Sequence, residues 1–421
     1  MTVDILSLII FGVCIAFFIW DRFPMALTAI AGCVVMVLCE TADFSTVFGQ
    51  FVNSAVVLLV CVMIIGAAFA ETGMAAKIGG LLTRLTSGNE RLLIAAAYIL
   101  AALLSSFMTN ATVLAIFIPI ALGICRDNKK FNLLNIIMPV TLACTIGGTS
   151  TLVGSSQQMT AQGLLEEIGL GFGIFEFTPV GAILCLLGLL YSLFIGYPIG
   201  KKIWGGRACE YEGEDIKKPR EYKKSKQIII SVLFVLMIAG YVSEIVKPHI
   251  TALIIAILCV GTGCIEQKNA FSKINWNIVG RLAGCLGIAK AVDAAGGIEI
   301  LSNLVTKVIK PDFSPLALFI IAVVFCQLTS LVMSNSTAIM ITLPIIISIA
   351  PSMNLNAQSF ALGITIASGI GASCPLSSST WGMSMAVGYK FRDYFKYGAL
   401  FDLLGLVTVI IFVPLLCGLT N

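Results

Sequence analysis

The chain has 421 residues, of which 58% are hydrophobic and 11% charged, with a net charge of +4 and a mean hydropathy of +1.00. These values exclude a soluble globular domain and place the chain among polytopic membrane proteins. Long Leu/Ile/Val/Ala runs of spanning length argue for α-helices, and the short alternating segments of an outer-membrane barrel are absent.

The first apolar run, Ile5 to Trp20, lacks a basic stretch before it and a small-residue cleavage pattern after it. It reads as a retained span, with a cleavable signal as the alternative. Runs follow at about 24–40, 51–71, 91–107, 113–125, 132–146, 177–199, 227–245, 250–265, 275–291, 314–333, 338–350, 356–371 and 397–418. Some are too short to cross alone. Phe107-Met-Thr-Asn-Ala-Thr112 divides two of them and leads into Val-Leu-Ala-Ile-Phe-Ile-Pro119. Val332-Met-Ser-Asn-Ser-Thr337 divides another two and leads into Ala-Ile-Met-Ile-Thr-Leu-Pro344, so Asn110 and Asn335 stand in near-copies of one motif 225 residues apart. Both pairs read as re-entrant hairpins, because each arm is apolar and each tip (near 108–112 and 334–337) carries polar, helix-capping residues: Thr109, Asn110, Thr112 and Ser334, Asn335, Ser336, Thr337.

The segment 201–226 holds nine basic residues and is the one linker long enough to divide the chain; the positive-inside rule places it in the cytoplasm. Tracing outward from it with non-crossing hairpins puts all but Lys247, Arg281, Lys290, Lys307 and Lys310 of the 26 basic residues on that side. The expected topology has about ten transmembrane spans, two hairpins and both termini outside, in a multi-pass protein of the cell (inner) membrane.

An offset of 223 to 225 aligns more than the asparagines. Thr72-Gly73-Met74 meets Ala295-Gly296-Gly297, and the Gly/Ser-rich stretch 146–157 meets 370–380. The expected fold is all-α, built from two inverted-topology repeats, 1–200 and 227–421, each with a hairpin and a broken helix, near 147–158 and near 369–381. Consecutive Gly and Ser, and Pro375 without an amide hydrogen, interrupt the helices at mid-bilayer. The freed backbone groups must face protein, water or an ion. Helix amino ends favour an anion, while hydroxyls, asparagine oxygens and carbonyls suit a hard cation such as sodium.

At these residues the sequence resembles the divalent anion/sodium symporter family, carriers of dicarboxylates, citrate or sulfate within the ion transporter superfamily. That family has a Ser-Asn-Thr motif at each hairpin tip. Met-Ser334-Asn335-Ser336-Thr337 is close to the second copy, and Thr109-Asn110-Ala111-Thr112 is a looser version of the first. The resemblance implies one sodium site from Ser105, Thr109, Asn110 and carbonyls near Gly148, and another from Ser330, Met333, Asn335 and carbonyls near Ala372. It implies an anion held by Asn110, Ala111, Thr112, Ser155, Asn335, Ser336, Thr337 and Ser378, an elevator-like motion and a homodimer. The family's Thr-Pro-Pro-Asn is replaced here by Ser155-Ser-Gln-Gln158 and Ser378-Ser-Thr-Trp381.

The expected function is therefore secondary active, sodium-coupled uptake of a small anion, a di- or tricarboxylate, with no cofactor beyond the coupling ions. Proton-coupled anion uptake, arsenite-type export and sodium/proton antiport stand as alternatives, and an ion channel as the rival class. Arg281, about six residues into a span, reads either as a snorkelling or carboxylate-paired residue or as an anion attractor. The fourteen cysteines fall singly, most of them in apolar runs, beside one histidine, His249, and read as small filler. Neither a metal cluster nor a nucleophile/base pair is visible, so no enzyme is expected, and there is no nucleic-acid signal. The basic linker suits anionic lipid headgroups.

Overall fold

The computed structural model describes residues 3–20, 23–74, 77, 89–127, 131–205, 207, 223–243, 245–297, 300 and 314–420. The centre of the basic linker, 208–222, and most of the connectors after residues 74 and 297 lie outside the described residues. The first half runs α1 (Val3–Trp20), α2 (Met25–Leu38), α3 (Phe44–Phe48), α4 (Ser54–Glu71), α5 (Glu90–Ser105), α6 (Asn110–Asp127), α7 (Leu133–Gly148), α8 (Ser156–Glu166) and α9 (Thr178–Leu190). A π-helical turn, Tyr191–Gly196, then continues into α10 (Tyr197–Trp204). The second half runs α11 (Lys224–Ser243), α12 (Pro248–Gly261), α13 (Gln267–Ser272), α14 (Trp276–Ala294), α15 (Pro315–Val332), α16 (Asn335–Ile349), α17 (Ala357–Ser368), α18 (Ser379–Met385) and α19 (Phe391–Cys417).

The local start and stop signals repeat as the helices do. Asn53 and Asn275 cap α4 and α14 by accepting from backbone N–H groups of their first turns. Asn132 and Asn356 do the same for α7 and α17. At the other end of α4 and α14, Gly73 and Gly296 take φ of 77° and 78°, the left-handed geometry that closes a helix and that glycine adopts without a Cβ penalty. Pro119 and Pro344 interrupt the second arm of each hairpin at matched positions.

Packing obeys the same symmetry. α2 packs on α14 and α12 on α4; α8 packs on α16 and α18 on α6. Exchanging equivalent helices of the two halves converts each pair into the other, as interlocked repeats require. Exposed Leu186, Phe194, Leu236, Ile257, Leu403 and Leu415 face outward while Ser105, Thr145, Gln158, Ser330 and Ser368 are buried, a distribution suited to lipid. Among the described residues five helical stretches are long and apolar enough to cross a bilayer: Phe44–Glu71, Thr178–Trp204, Lys224–Ser243, Pro315–Val332 and Phe391–Cys417. α2 and α12, at 14 residues each, rise only about 21 Å against a core of about 30 Å. Helix length alone thus does not reach the expected ten spans.

The last helix of each half presses against the interruption in its broken helix. Gly181 in α9 faces Ser150, and Gly398 in α19 faces Ala372 and Ser373; a Cβ on Gly398 would come within 2.5 Å of the Ser373 nitrogen. Gly398→Ala is expected to destabilise the protein by about 1–3 kcal/mol through overpacking against backbone. A fall of several degrees in the thermal midpoint of the purified protein is the corresponding readout, and an unchanged melt would show that the helices part without cost.

Candidate functional site

Four helices begin at one place. The hairpin arms α6 and α16 start at Asn110 and Asn335, and α8 and α18 restart the broken helices at Ser156 and Ser379. The interruptions between them are held by named partners. In the first, Thr178 Oγ1 donates to the Ser150 carbonyl (2.8 Å), the Leu152 amide donates to the Ile174 carbonyl (2.9 Å), and the Thr151 hydroxyl donates to the Ser106 carbonyl. In the second, Asp402 of α19 accepts from the amides of Ala372 (2.7 Å) and Ser373 (2.9 Å), one on each carboxylate oxygen. Gln327 of α15 donates to the carbonyls of Ile370 and Asp402. These contacts satisfy buried backbone groups that no helix satisfies.

Around each asparagine the oxygens converge. One end of the Asn110 amide faces Ser105 Oγ (2.8 Å) and the carbonyls of Cys144 and Gly154 (3.1 Å each), and its other end faces Ser155 Oγ (3.0 Å). One end of the Asn335 amide faces the carbonyls of Ser368 (3.0 Å) and Ser377 (2.7 Å), and its other end faces Gln157 (3.0 Å). Cys144 and Ser368 are repeat equivalents, as are the segments holding Gly154 and Ser377. With its nitrogen turned inward the amide donates to the carbonyls and closes the cage. With its oxygen inward the same atoms make an oxygen shell, the ligand chemistry of a hard cation.

Gly148 contributes by lacking a side chain, since a Cβ there would overlap the Asn110 amide and lie 2.5 Å from Ser155 Oγ. Thr109 Oγ1 pairs with Thr112 Oγ1 (2.7 Å), and Ser330 Oγ donates to the Gln327 carbonyl (2.8 Å). Met333 lies in the turn of the second tip, and Ala372 presents its amide to Asp402. The half-sites also touch one another: Ser156 Oγ is 3.3 Å from Ser336 Oγ, and Asn335 Nδ2 donates to Gln157 Oε1.

A cavity of about 1080 Å³ lies over both tips, lined by Asn110, Ala111, Thr112, Ser155, Asn335, Ser336 and Ser378 together with Glu71, Lys273 and Arg281. Thr337 lines a smaller neighbouring cavity and pairs with Ser334 Oγ (2.8 Å). Lys273, Asn275 and Asn277 are exposed members of the larger cavity's lining. The amino ends of α6, α8 and α16 bring partial positive charge to this space, so neutral residues already favour an anion there. Sequence reasoning missed Gln157, Gln327 and Asp402. Of these only Asp402 carried a signal, a carboxylate inside an apolar run.

A family model described as CitMHS, citrate transporter, matches residues 15–367 and, in a second match, 238–420. The uncharacterized transporter sll0640 of Synechocystis sp. is 28% identical over 215 residues, 50% of this chain and 35% of that protein. The chain thus spans about a third of that relative's length. An uncharacterized transporter of Haemophilus influenzae is 24% identical over 348 residues, 77% of this chain and 73% of that protein. The crystal structure of the Alcanivorax borkumensis YdaH transporter superposes with a TM-score of 0.65 at 13% identity, over 89% of this chain and 88% of that one, a likeness of fold.

Proposed function

The chain belongs to the CitMHS citrate transporter family of membrane transporters, and from that premise we propose that it takes up a small anion, a di- or tricarboxylate such as citrate, coupled to sodium. The observation that carries this reading is the pair of symmetry-related oxygen cages at Asn110 and Asn335, set directly beneath a cavity that suits an anion. The atoms facing the amides in the cages are hydroxyl and carbonyl groups, none of which releases a proton near neutrality, so they favour a metal cation over a proton as the coupled ion. A sodium ion in either cage turns the asparagine oxygen inward and its nitrogen toward Ser155 or Gln157. Ion binding thereby sets the hydrogen bonds of the tip that receives the anion, which is the required linkage between the two sites.

In this reading α2, α4, α12 and α14 form the scaffold, and the hairpins and broken helices move against it as one unit. Purified protein in liposomes is expected to accumulate labelled citrate or succinate when a sodium gradient is applied, and not when potassium replaces sodium. Absence of accumulation for citrate, succinate and sulfate, or uptake indifferent to sodium, overturns the proposal.

A further inference from the structure

Arg281 stands in α14, which packs mainly on α2 and α3, also meets α8 and α16, and is part of the scaffold in the reading above. Its side chain is half-buried and lines the same cavity as both hairpin tips. Nη1 donates to Ser334 Oγ at 3.0 Å. Ser334 is the residue that caps α16 and pairs with Thr337, so the guanidinium is placed at the level of the second tip. Among the described residues the cavity lining holds two other ionisable groups: Lys273, which is exposed, and Glu71, which ends α4. The same Nη1 also lies 3.9 Å from Met25 Sδ, and a planar guanidinium has five N–H donors in a fork that matches a carboxylate.

We propose that Arg281 is the charge-selecting residue for the transported anion, its guanidinium receiving one carboxylate of a di- or tricarboxylate while the hairpin tips hold the rest. This rests on the anion-uptake reading above. The neutral amides, hydroxyls and helix ends at the tips favour negative charge weakly and without counting it. One fixed positive charge beside them distinguishes a substrate with a second carboxylate from one without. Because α14 is scaffold and Ser334 belongs to a hairpin, an anion bridging them is held by Arg281 in this orientation of the moving unit and leaves it in the other.

The test uses the full chain in proteoliposomes, taking citrate or succinate, whichever the wild type accumulates, against its monoamide as competitor. Arg281→Gln is expected to raise the half-saturating concentration of the carboxylate by roughly ten- to a hundred-fold, as loss of a hydrogen-bonded charge does. The preference for the carboxylate over its monoamide is expected to collapse toward unity. Sodium-induced thermal stabilisation, measured without anion, stays within about twofold of wild type in its midpoint concentration and shows that the variant is folded. Arg281→Lys keeps the charge and loses the fork, so it retains the preference while binding a few-fold more weakly. An unchanged half-saturation in folded Arg281→Gln overturns the proposal. So does an equal loss for carboxylate and monoamide, which is what a role confined to holding Ser334 produces. If Arg281→Gln does not fold, loss of the preference in folded Arg281→Lys overturns it equally. Failure of the wild type to accumulate any anion removes the uptake reading and this inference together, whereas a normal wild type beside an unaffected variant removes this inference alone.

Discussion

Asn335→Ala is expected to abolish sodium-driven accumulation and to lower sodium affinity by roughly ten- to a hundredfold. The estimate follows from what the alanine leaves behind. In the absence of the ion the Asn335 nitrogen, turned inward, satisfies the carbonyls of Ser368 and Ser377 at 3.0 and 2.7 Å. With the ion, the oxygen is a ligand. Alanine supplies neither: loss of the oxygen ligand to the cation costs about 1.5–3 kcal/mol, at about 1.4 kcal/mol per tenfold in affinity, while the two buried carbonyls left without partners destabilise the ion-free protein. Asn110→Ala is expected to act in the same way on the first cage, through Ser105, Cys144 and Gly154. The two variants differ in reach, because Asn335 also holds Gln157 of the opposite repeat while Asn110 holds Ser155 of its own. Sodium titrations of uptake and of thermal stability measure both effects. Wild-type sodium dependence in either folded variant would remove that asparagine from its assigned site.

The repeated Asn motif, the matched prolines and the Gly/Ser interruptions were legible in the sequence because each acts locally: a polar tip between apolar arms, a missing amide, a poor helix former. They located hairpin tips and breaks that the structure brings to one cavity. The identities of the facing carbonyls were not legible, since backbone oxygens of Cys144, Gly154, Ser368 and Ser377 leave no mark on residue type. Gly148 was singled out for its carbonyl, whereas its visible contribution is the space it leaves for Asn110. Gln157 was hidden for another reason. Its partner lies 178 residues away in the opposite repeat, and only interlocked packing makes them neighbours. Helix lengths mislead as well, because interrupted and re-entrant helices need not span the bilayer individually.

Asp402→Asn is expected to weaken the second cage while leaving the first intact. The carboxylate is buried and accepts one amide on each oxygen, from Ala372 and Ser373, at the interruption that separates Ser368 from Ser377. Asparagine retains one acceptor and turns an NH2 group toward the other amide, leaving a buried donor unpaired at about 1–3 kcal/mol. The first interruption has no matching acid and relies on Thr178, Thr151 and the Ile174 carbonyl, so the defect is confined to one half. Gln327 still ties α15 to the carbonyls of Ile370 and Asp402, which the substitution does not touch, and the variant therefore folds. A several-degree fall in thermal midpoint and a roughly tenfold weaker sodium response correspond to that energy. The decisive comparison is a double-mutant cycle on sodium-induced stabilisation. Asp402→Asn combined with Asn110→Ala adds the two losses, because they strike separate cages; combined with Asn335→Ala it adds almost nothing, because the cage it supports is already lost. Full additivity with Asn335→Ala disconnects Asp402 from that cage and leaves it a purely structural anchor of α19.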